Sequence, residues 1–179
     1  MITKEFKNCK DLKEYYNKVL TLQQLHHGIS YTLVHDELKR LLKNCDSYTE
    51  FGVAQGGTLA IPCLNGIKKV RGYEINLQYY NKASKYFDLD IDFKVINEST
   101  LTTSPIDEVD LLYIDSVHTC EHLTKELNRH AHNVNKYIVM HDTFSRQLMP
   151  SIKRFIEKNK EWKIITNCTD SVGFVSIAK

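Results

Sequence analysis

Acidic and imidazole side chains follow two strongly apolar segments in the second half of the chain. Asp115 and His118 come just after the first of these segments, and His141 and Asp142 come just after the second. Two carboxylates and an imidazole suit Mg²⁺, Mn²⁺ or another divalent cation that keeps open coordination positions. Each residue alone is explained as well by a loop cap or a hydrogen-bonded histidine. Two such groups after neighbouring strands favour a site, so Asp115, His141 and Asp142 are the candidate metal ligands.

A second candidate site is a glycine cluster in the segment Glu50–Gly57. The chain has only 7 glycines, and Gly52, Gly56 and Gly57 lie close together among them. Glycine lets the backbone approach a ligand closely, and the N-terminus of a following helix favours a carboxylate or a phosphate. The spacing is not G-x-G-x-x-G, and no Gly-Lys-Ser/Thr follows, which counts against a dinucleotide fingerprint and a P-loop. The alternative is a tight strand-to-helix turn that binds no ligand.

A carboxylate at the end of the second predicted strand would fit a nucleoside. Glu74 lies 22 residues after Gly52, and a carboxylate in this position can accept hydrogen bonds from both hydroxyls of a ribose. Acidic residues at strand ends are common, so Glu74 is informative only together with the glycine cluster. The two features together indicate a nucleoside ligand.

These residues would be positioned by an alternation of strands and helices that starts near residue 48. Apolar patterning predicts seven strands, over residues 48–53, 69–75, 91–95, 109–114, 137–140, 162–166 and 172–177. Only about five polar residues separate the last two strands, which must therefore be antiparallel neighbours. The prediction is an α/β fold with a Rossmann-like, doubly wound, mostly parallel seven-stranded sheet and an antiparallel last strand. Ligands would bind at the carboxyl ends of its strands.

Helical spacing predicts how the rest of the chain is organised. Two apolar repeats separated by Gly28 predict an N-terminal helical layer over residues 1–46, followed by a core over residues 47–179 of a single domain. Further helices are predicted over residues 58–65, after a capping Asn76, from Leu123 to Val134, and from Pro150 onwards. The histidines outside the candidate sites are expected at the surface: His26, His27, His35, His122, His130 and His132.

Composition excludes several classes of partner. The 179 residues carry 24 Lys and Arg against 22 Asp and Glu, a formal net charge of +2. This balance gives no electrostatic reason to expect a nucleic acid or an anionic membrane as the main partner. No apolar run approaches the length of a membrane span, and no signal peptide is recognisable. The 5 scattered cysteines form no C-x-x-C pair and are typical of a reducing compartment, so a cytoplasmic protein is expected.

Several of these segments resemble motifs of the class I S-adenosylmethionine-dependent methyltransferases. The resemblance is greatest to the small-molecule O-methyltransferases of the methyltransferase 24, macrocin O-methyltransferase and cephalosporin-biosynthesis (CmcI-like) type. It spans residues 48–179 and is carried by the segments EFGVAQGGT, GYEIN, LLYIDSVHTCEHLTKEL, YIVMHDTF and GFVSIAK. The first two segments are generic to the fold, whereas the paired I-D-x-x-H and H-D-T segments are more specific.

The resemblance implies a donor site, a metal site and a catalytic base. The donor S-adenosylmethionine would be held by Glu50, Gly52, Gly56, Gly57, Glu74, Glu98 and Ser99. In this scheme the backbone near Gly52 holds the methionine part, Glu74 binds the ribose, and Glu98 or Ser99 contacts the adenine. Asp115, His141 and Asp142 would hold Mg²⁺ or Mn²⁺. His118 would be the general base, acting beside Asp115 on a small hydroxylated acceptor.

Other functions remain open from the sequence. An NAD(P)-dependent oxidoreductase shares the fold class, although the dinucleotide fingerprint is absent. A non-catalytic S-adenosylmethionine-binding protein would keep the glycine cluster without needing the acids and the histidine. An H-D metal phosphohydrolase normally draws its ligands from helices, whereas His141 and Asp142 follow an apolar strand. The N-terminal helices could cover the cleft or pair with a second subunit of a homo-oligomer.

Overall fold

A computed structural model describes residues 8–179, apart from the side chains of His27 and Ser30. Within these residues the helices are Leu12–His27 (α1), Ser30–Leu42 (α2), Ala60–Leu64 (α3), Tyr80–Ala83 (α4), Cys120–His130 (α5) and Met149–Lys158 (α6). The strands are Ser47–Phe51 (β1), Lys69–Tyr73 (β2), Asp92–Ile96 (β3), Val109–Ile114 (β4), Val134–His141 (β5), Lys163–Cys168 (β6) and Phe174–Ala178 (β7).

The strands of the described chain form one seven-stranded sheet in the order β3-β2-β1-β4-β5-β7-β6. All neighbouring pairs are parallel except those of β7, which runs antiparallel to both β5 and β6. The predicted mostly parallel sheet with an antiparallel last strand is therefore confirmed. The strand order reverses between β1 and β4, which is where a doubly wound sheet opens a crevice for ligands.

The register of the parallel strands brings their carboxyl ends to one level. Phe51, the last residue of β1, pairs with Tyr73 of β2 and with Ile114 of β4, and Ile114 pairs in turn with Met140 of β5. The residues that follow these positions therefore share one edge of the sheet. They include Gly52, Glu74, Asp115 and His141.

Helices bury both faces of the sheet. Alternate residues of β4 point to opposite sides: Leu111 packs in the cluster formed with α1, α2 and α3, and Leu112 packs in the cluster formed with α5 and α6. All six residues of β4 are buried, as expected for a central parallel strand. Each leucine taken from water in these layers contributes about 2 kcal/mol, and this packing keeps the carboxyl ends of the strands in place.

Two predicted helices differ from the structure in their bounds. The helix predicted over residues 58–65 spans only Ala60–Leu64, with Pro62 in its first turn, where proline is tolerated. The helix predicted to reach Val134 ends at His130, and Val134 is instead the first residue of β5, because it pairs along the sheet with Val109 of β4.

Asn76 does not cap a helix directly. Its Oδ1 accepts a hydrogen bond from the backbone N–H of Gln78 at 3.0 Å, which closes a turn. The helix α4 begins only at Tyr80. The capping interaction therefore shapes the loop after β2 rather than the start of α4.

Two histidines expected at the surface are fully buried. His35 on α2 and His130 on α5 are both 0% exposed. His35 lies among apolar residues because it shares a helix face with Leu38 and Leu42 at the spacing of i, i+3 and i+7.

No helix in the described part of the chain combines the length and apolar character needed to cross a bilayer.

Candidate active site

A cleft of about 240 Å³ opens at the carboxyl ends of β1, β2, β3 and β4. It is lined by Gly52, Ala54, Tyr73, Glu74, Ile75, Glu98, Ser99, Thr100, Asp115, Ser116, Val117 and His122. Five residues predicted from the sequence lie in its wall: Gly52, Glu74, Glu98, Ser99 and Asp115. The cleft lies at the reversal of strand order, where a fold of this kind binds its ligand.

Gly52 brings the ends of β1 and β4 into close contact. Its φ angle is +86°, and a Cβ atom at this position would overlap the backbone carbonyl oxygen of Asp115. The position therefore requires glycine for its conformation and for the space beside it. Because the two strand ends touch here without a side chain between them, a ligand in the cleft can approach the backbone of both.

Glu74 is oriented by two backbone groups. Its Oε2 accepts a hydrogen bond from Ala54 N at 2.9 Å, and its Oε1 accepts one from Asn76 N at 2.9 Å. Each carboxylate oxygen can accept a further hydrogen bond. The carboxylate is thus held at the wall of the cleft with acceptor capacity for two hydroxyl groups. Glu98 and Ser99 lie at the end of the cleft formed by the loop after β3, where Glu98 is exposed and Ser99 is half-buried.

Three residues of the predicted donor site lie outside the cleft wall. Glu50 is buried, and its Oε2 accepts a hydrogen bond from the Tyr48 hydroxyl at 2.7 Å. Burial raises the pKa of Glu50 well above its ordinary value, against the opposing effect of that bond, so the neutral acid is favoured. A Cβ atom at Gly56 would come within 3.0 Å of the Phe87 ring, and one at Gly57 within 2.5 Å of Val19 Cγ1. These two glycines let the turn pack against its neighbours.

Asp115, His118 and Asp142 form a compact cluster beside the cleft. His118 Nε2 lies 3.0 Å from Asp115 Oδ1, and His118 Nδ1 lies 2.9 Å from Asp142 Oδ2. One ligand atom from each residue falls within 4.8 Å of the others. Asp142 has a φ of +54°, an uncommon conformation that aspartate tolerates better than most residues. This conformation comes directly after β5 and leaves the carboxylate beside the His118 ring.

The cluster is electrostatically coupled. Burial alone would raise the pKa of Asp115, but His141 and His118 lower it strongly overall. Burial alone would lower the pKa of His118, but its hydrogen bonds to Asp115 and Asp142 raise it to about 9. His118 also lowers the pKa of Asp142, against the effect of burial. At neutral pH the cluster is therefore an imidazolium held between two carboxylates.

His141 lies behind the cluster rather than between its carboxylates. Its side chain is buried, with Nδ1 at 3.3 Å from Asp115 Oδ1 and at 3.9 Å from Asp142 Oδ1. Its Nε2 atom is buried and has no hydrogen-bond partner among the described residues. The structure thus brings Asp115 and Asp142 into one candidate metal cluster with His118, whereas His141, the imidazole predicted as the third ligand, lies behind that cluster.

Aromatic side chains and a second buried histidine surround His141. The ring of Tyr31 lies 5.0 Å from that of His141, between centroids. The Tyr16 hydroxyl lies 3.2 Å from His35 Nδ1. Burial, with smaller contributions from Lys39 and His141, lowers the pKa of His35 to about 3, so this ring is neutral. Sequence reasoning missed these residues, although the helical spacing of Tyr31, His35 and Leu38 places them on one face of α2.

The two carboxylates and the imidazole are a donor set that suits a divalent cation. All three side chains are half-buried, so an ion could reach them from solvent. The protonated ring of His118 bonds to both carboxylates, and a cation that binds between these residues would have to displace a proton from this ring. The residues therefore fit a divalent metal.

Comparison with known proteins identifies the class of fold. No family model matches the chain, and no curated protein is similar to it in sequence. The N-methyltransferase NodS from Bradyrhizobium japonicum, in complex with S-adenosyl-L-homocysteine, superposes with a TM-score of 0.67 and 11% identity over 95% of this chain and 99% of that chain. A putative caffeoyl-CoA O-methyltransferase from Staphylococcus aureus gives 0.66 and 14% over 92% and 98%.

A third solved structure agrees with these two. Magnesium protoporphyrin IX methyltransferase from Synechocystis, with S-adenosyl-L-homocysteine bound, gives a TM-score of 0.65 and 11% identity over 87% of this chain and 86% of that chain. The chain has the fold of the class I S-adenosylmethionine-dependent methyltransferases. These similar structures include both N- and O-methyltransferases by name.

Proposed function

We propose that the protein is an S-adenosylmethionine-dependent methyltransferase that methylates a hydroxyl group of a small acceptor with the help of a divalent cation. The observation that carries the proposal is the position of Asp115. Its carboxylate bonds to His118, and the residue also lines the cleft. A candidate metal cluster therefore lies directly beside a cleft that, in this fold, is suited to a nucleoside. The methyltransferase fold supports the choice of donor.

We assign the cleft residues the following roles in holding the donor. S-adenosylmethionine, when bound, supplies an electrophilic methyl group on its sulfonium. Gly52 would admit the methionine part, because no side chain separates the two strand ends there. Glu74 would accept hydrogen bonds from the ribose hydroxyls through the lone pairs that its backbone donors leave open. Glu98 or Ser99 would contact the adenine at the far end of the cleft.

The cluster would hold the cation and orient the acceptor. Asp115, His118 and Asp142 are the proposed ligands, with His141 fixing the carboxylate of Asp115 from behind. A cation bound there would lower the pKa of an acceptor hydroxyl. An imidazole coordinated to the cation cannot also accept a proton, so His118 would act as a ligand once the cation is bound, and the general-base role implied by the resemblance would not apply to it. Positioning the hydroxyl in line with the methyl group would supply much of the acceleration.

Two exposed apolar side chains lie in the loops that carry the residues of the cluster. Phe144 is 57% exposed and follows Asp142, and Val117 is 48% exposed and precedes His118. The backbone N–H of Phe144 donates a hydrogen bond to Val172 O at 3.1 Å, so the loop after β5 is attached to the turn between β6 and β7. We assign the acceptor to this part of the site, where its apolar part would contact Phe144 and also Val117, which lies in the wall of the donor cleft.

Calorimetric titration with S-adenosyl-L-homocysteine tests the donor site. The wild-type protein should bind it, and Glu74→Ala should bind at least about tenfold more weakly, since it loses charge-assisted hydrogen bonds. Glu157→Ala, on the exposed face of α6, is the matched control and should bind like the wild type. Binding of NADH in place of S-adenosyl-L-homocysteine would contradict the proposal and favour an oxidoreductase.

Transfer of a radiolabelled methyl group to a panel of hydroxylated small molecules tests the reaction. Transfer should require Mg²⁺ or Mn²⁺ and stop with EDTA. Donor binding without transfer to any acceptor would identify a non-catalytic binding protein, and transfer that persists in EDTA would refute the role of the metal.

A further inference from the structure

A buried carboxylate on α5 joins three residues of the cleft wall. Glu126 is 0% exposed, and its Oε1 accepts hydrogen bonds from the Thr100 hydroxyl at 2.6 Å and from the Ser116 hydroxyl at 2.7 Å. His122 Nε2 lies 3.2 Å from the same oxygen. Thr100, Ser116 and His122 all line the cleft. They come from three different segments, which makes Glu126 the common anchor of the loop after β3, the loop after β4 and the first turns of α5.

Residues of the next turn of α5 bond to backbone groups of the loop after β3. His130 Nδ1 accepts a hydrogen bond from Ile106 N at 3.3 Å, so its Nε2 carries the proton and donates to Thr100 O at 2.6 Å. Arg129 donates to the carbonyl oxygen of Thr103. The loop after β3 is therefore tied to α5 by side-chain hydrogen bonds in addition to the apolar packing of Ile106 against this helix.

This arrangement is not what packing alone would favour. Neighbouring inward positions of α5 are apolar, namely Leu123 and Leu127. Burial raises the pKa of Glu126, against the effect of its hydroxyl donors, and a buried carboxylate is often no more stabilising than an apolar side chain of similar volume. A leucine could fill the same volume, but it could not hold two hydroxyls from separate loops on one oxygen atom. The carboxylate therefore positions the loops rather than stabilising the fold.

We propose that Glu126 is a positioning residue for the donor cleft, which it shapes by holding the Thr100 loop and the Ser116 loop at a fixed separation. This inference rests on the proposed function. Thr100 follows Ser99, at the end of the cleft assigned to the adenine, and Ser116 follows Asp115. One carboxylate thus sets the geometry of the adenine end and of the strand tip that carries the catalytic aspartate.

Two substitutions of Glu126 distinguish a role in positioning the loops from a role in stabilising the fold. Glu126→Gln keeps a carbonyl oxygen that can accept both hydroxyl bonds, whereas Glu126→Leu keeps the volume and loses the acceptor. We expect Glu126→Leu to weaken the binding of S-adenosyl-L-homocysteine about tenfold and Glu126→Gln to weaken it less than about threefold. Glu121→Leu is the control on the same helix, since Glu121 is exposed and its carboxylate pairs with Lys125, and its affinity should be that of the wild type.

Thermal unfolding of every variant accompanies the calorimetry. The positioning role is supported if the folded Glu126→Leu protein binds S-adenosyl-L-homocysteine more weakly while the Glu126→Gln protein retains most of the affinity. A folded Glu126→Leu protein that binds S-adenosyl-L-homocysteine like the wild type overturns the inference, as does an equal loss in both variants. If Glu126→Leu does not fold, Thr100→Val removes one of the two bonds with little change in shape, and unchanged affinity there overturns it. Absence of binding by the wild-type protein refutes the proposed function itself, and this inference with it.

Discussion

The bridging His118 predicts an unusual dependence of stability on pH in the metal-free protein. The pKa of this imidazole is about 9 in the folded chain against an ordinary 6.5. A raised pKa means that the protonated ring is stabilised by folding. Its contribution is therefore fully present below pH 6.5 and is lost as the pH rises through 9. The difference between the two pKa values corresponds to about 3 kcal/mol of unfolding free energy, from 1.36 kcal/mol per pKa unit.

Urea denaturation in EDTA at pH 6 and pH 9.5 would measure this contribution. Other groups titrate in the same range, so the informative quantity is the difference in unfolding free energy between the wild type and His118→Gln. This difference should fall by about 3 kcal/mol between the two pH values. His132→Gln is the control, because His132 is an exposed histidine in the turn between α5 and β5, and its difference from the wild type should not change over this range.

A difference between the wild type and His118→Gln that stays constant within about 0.5 kcal/mol would refute the reasoning. It would mean that the ring is not protonated between the two carboxylates in the folded protein. The repulsion between Asp115 and Asp142 would then have to be relieved in another way, and the charge assigned to His118 would be incorrect.

Further predictions concern the cation, the catalytic acids and the glycine turn. Binding of Mn²⁺ should displace the proton of His118, so calorimetry at pH 7.5 in buffers of different ionisation enthalpy should show about one proton released; no release contradicts this. Asp142→Asn should abolish methyl transfer and change the affinity for S-adenosyl-L-homocysteine less than about twofold, because Asp142 does not line the cleft. Gly52→Ala should lose donor binding and at least about 1–2 kcal/mol of stability, measured by calorimetry and urea denaturation, since its φ is +86° and its Cβ would overlap the Asp115 carbonyl; wild-type affinity would show that the turn tolerates a side chain.

The sheet could be predicted because its signals are local. Continuous apolar residues from Val109 to Ile114 indicate a strand buried on both faces, and the short polar segment before β7 permits only an antiparallel neighbour. The convergence of Asp115 and Asp142 follows from the same reasoning, since parallel strands end at one edge. The boundary at Val134 could not be obtained in this way, because one apolar residue fits the end of a helical repeat and the start of a strand equally well.

The finer arrangement of the site depends on contacts that no spacing encodes. His118 and His141 both stand near strand ends, and only the three-dimensional structure shows that the first faces both acids and the second lies behind them. Glu126 looks like an ordinary polar residue of an amphipathic helix until the loops that reach it are placed. His35 was expected at the surface, although its spacing from Leu38 and Leu42 on α2 is that of a buried helix face and could have indicated its burial.

The attachment of the loop after β5 to the turn between β6 and β7 has a consequence for how such a protein can change. Gly173 leaves no room for a Cβ atom against Phe144, and Ser171 of the same turn lies near Gly28, between α1 and α2. Three segments remote in sequence therefore build one rim, whereas the nucleoside cleft is made by other loops. Under the proposed function, exchange of rim residues would change acceptor preference without changing donor binding, and a library restricted to these three segments is the natural starting point for redirecting the acceptor.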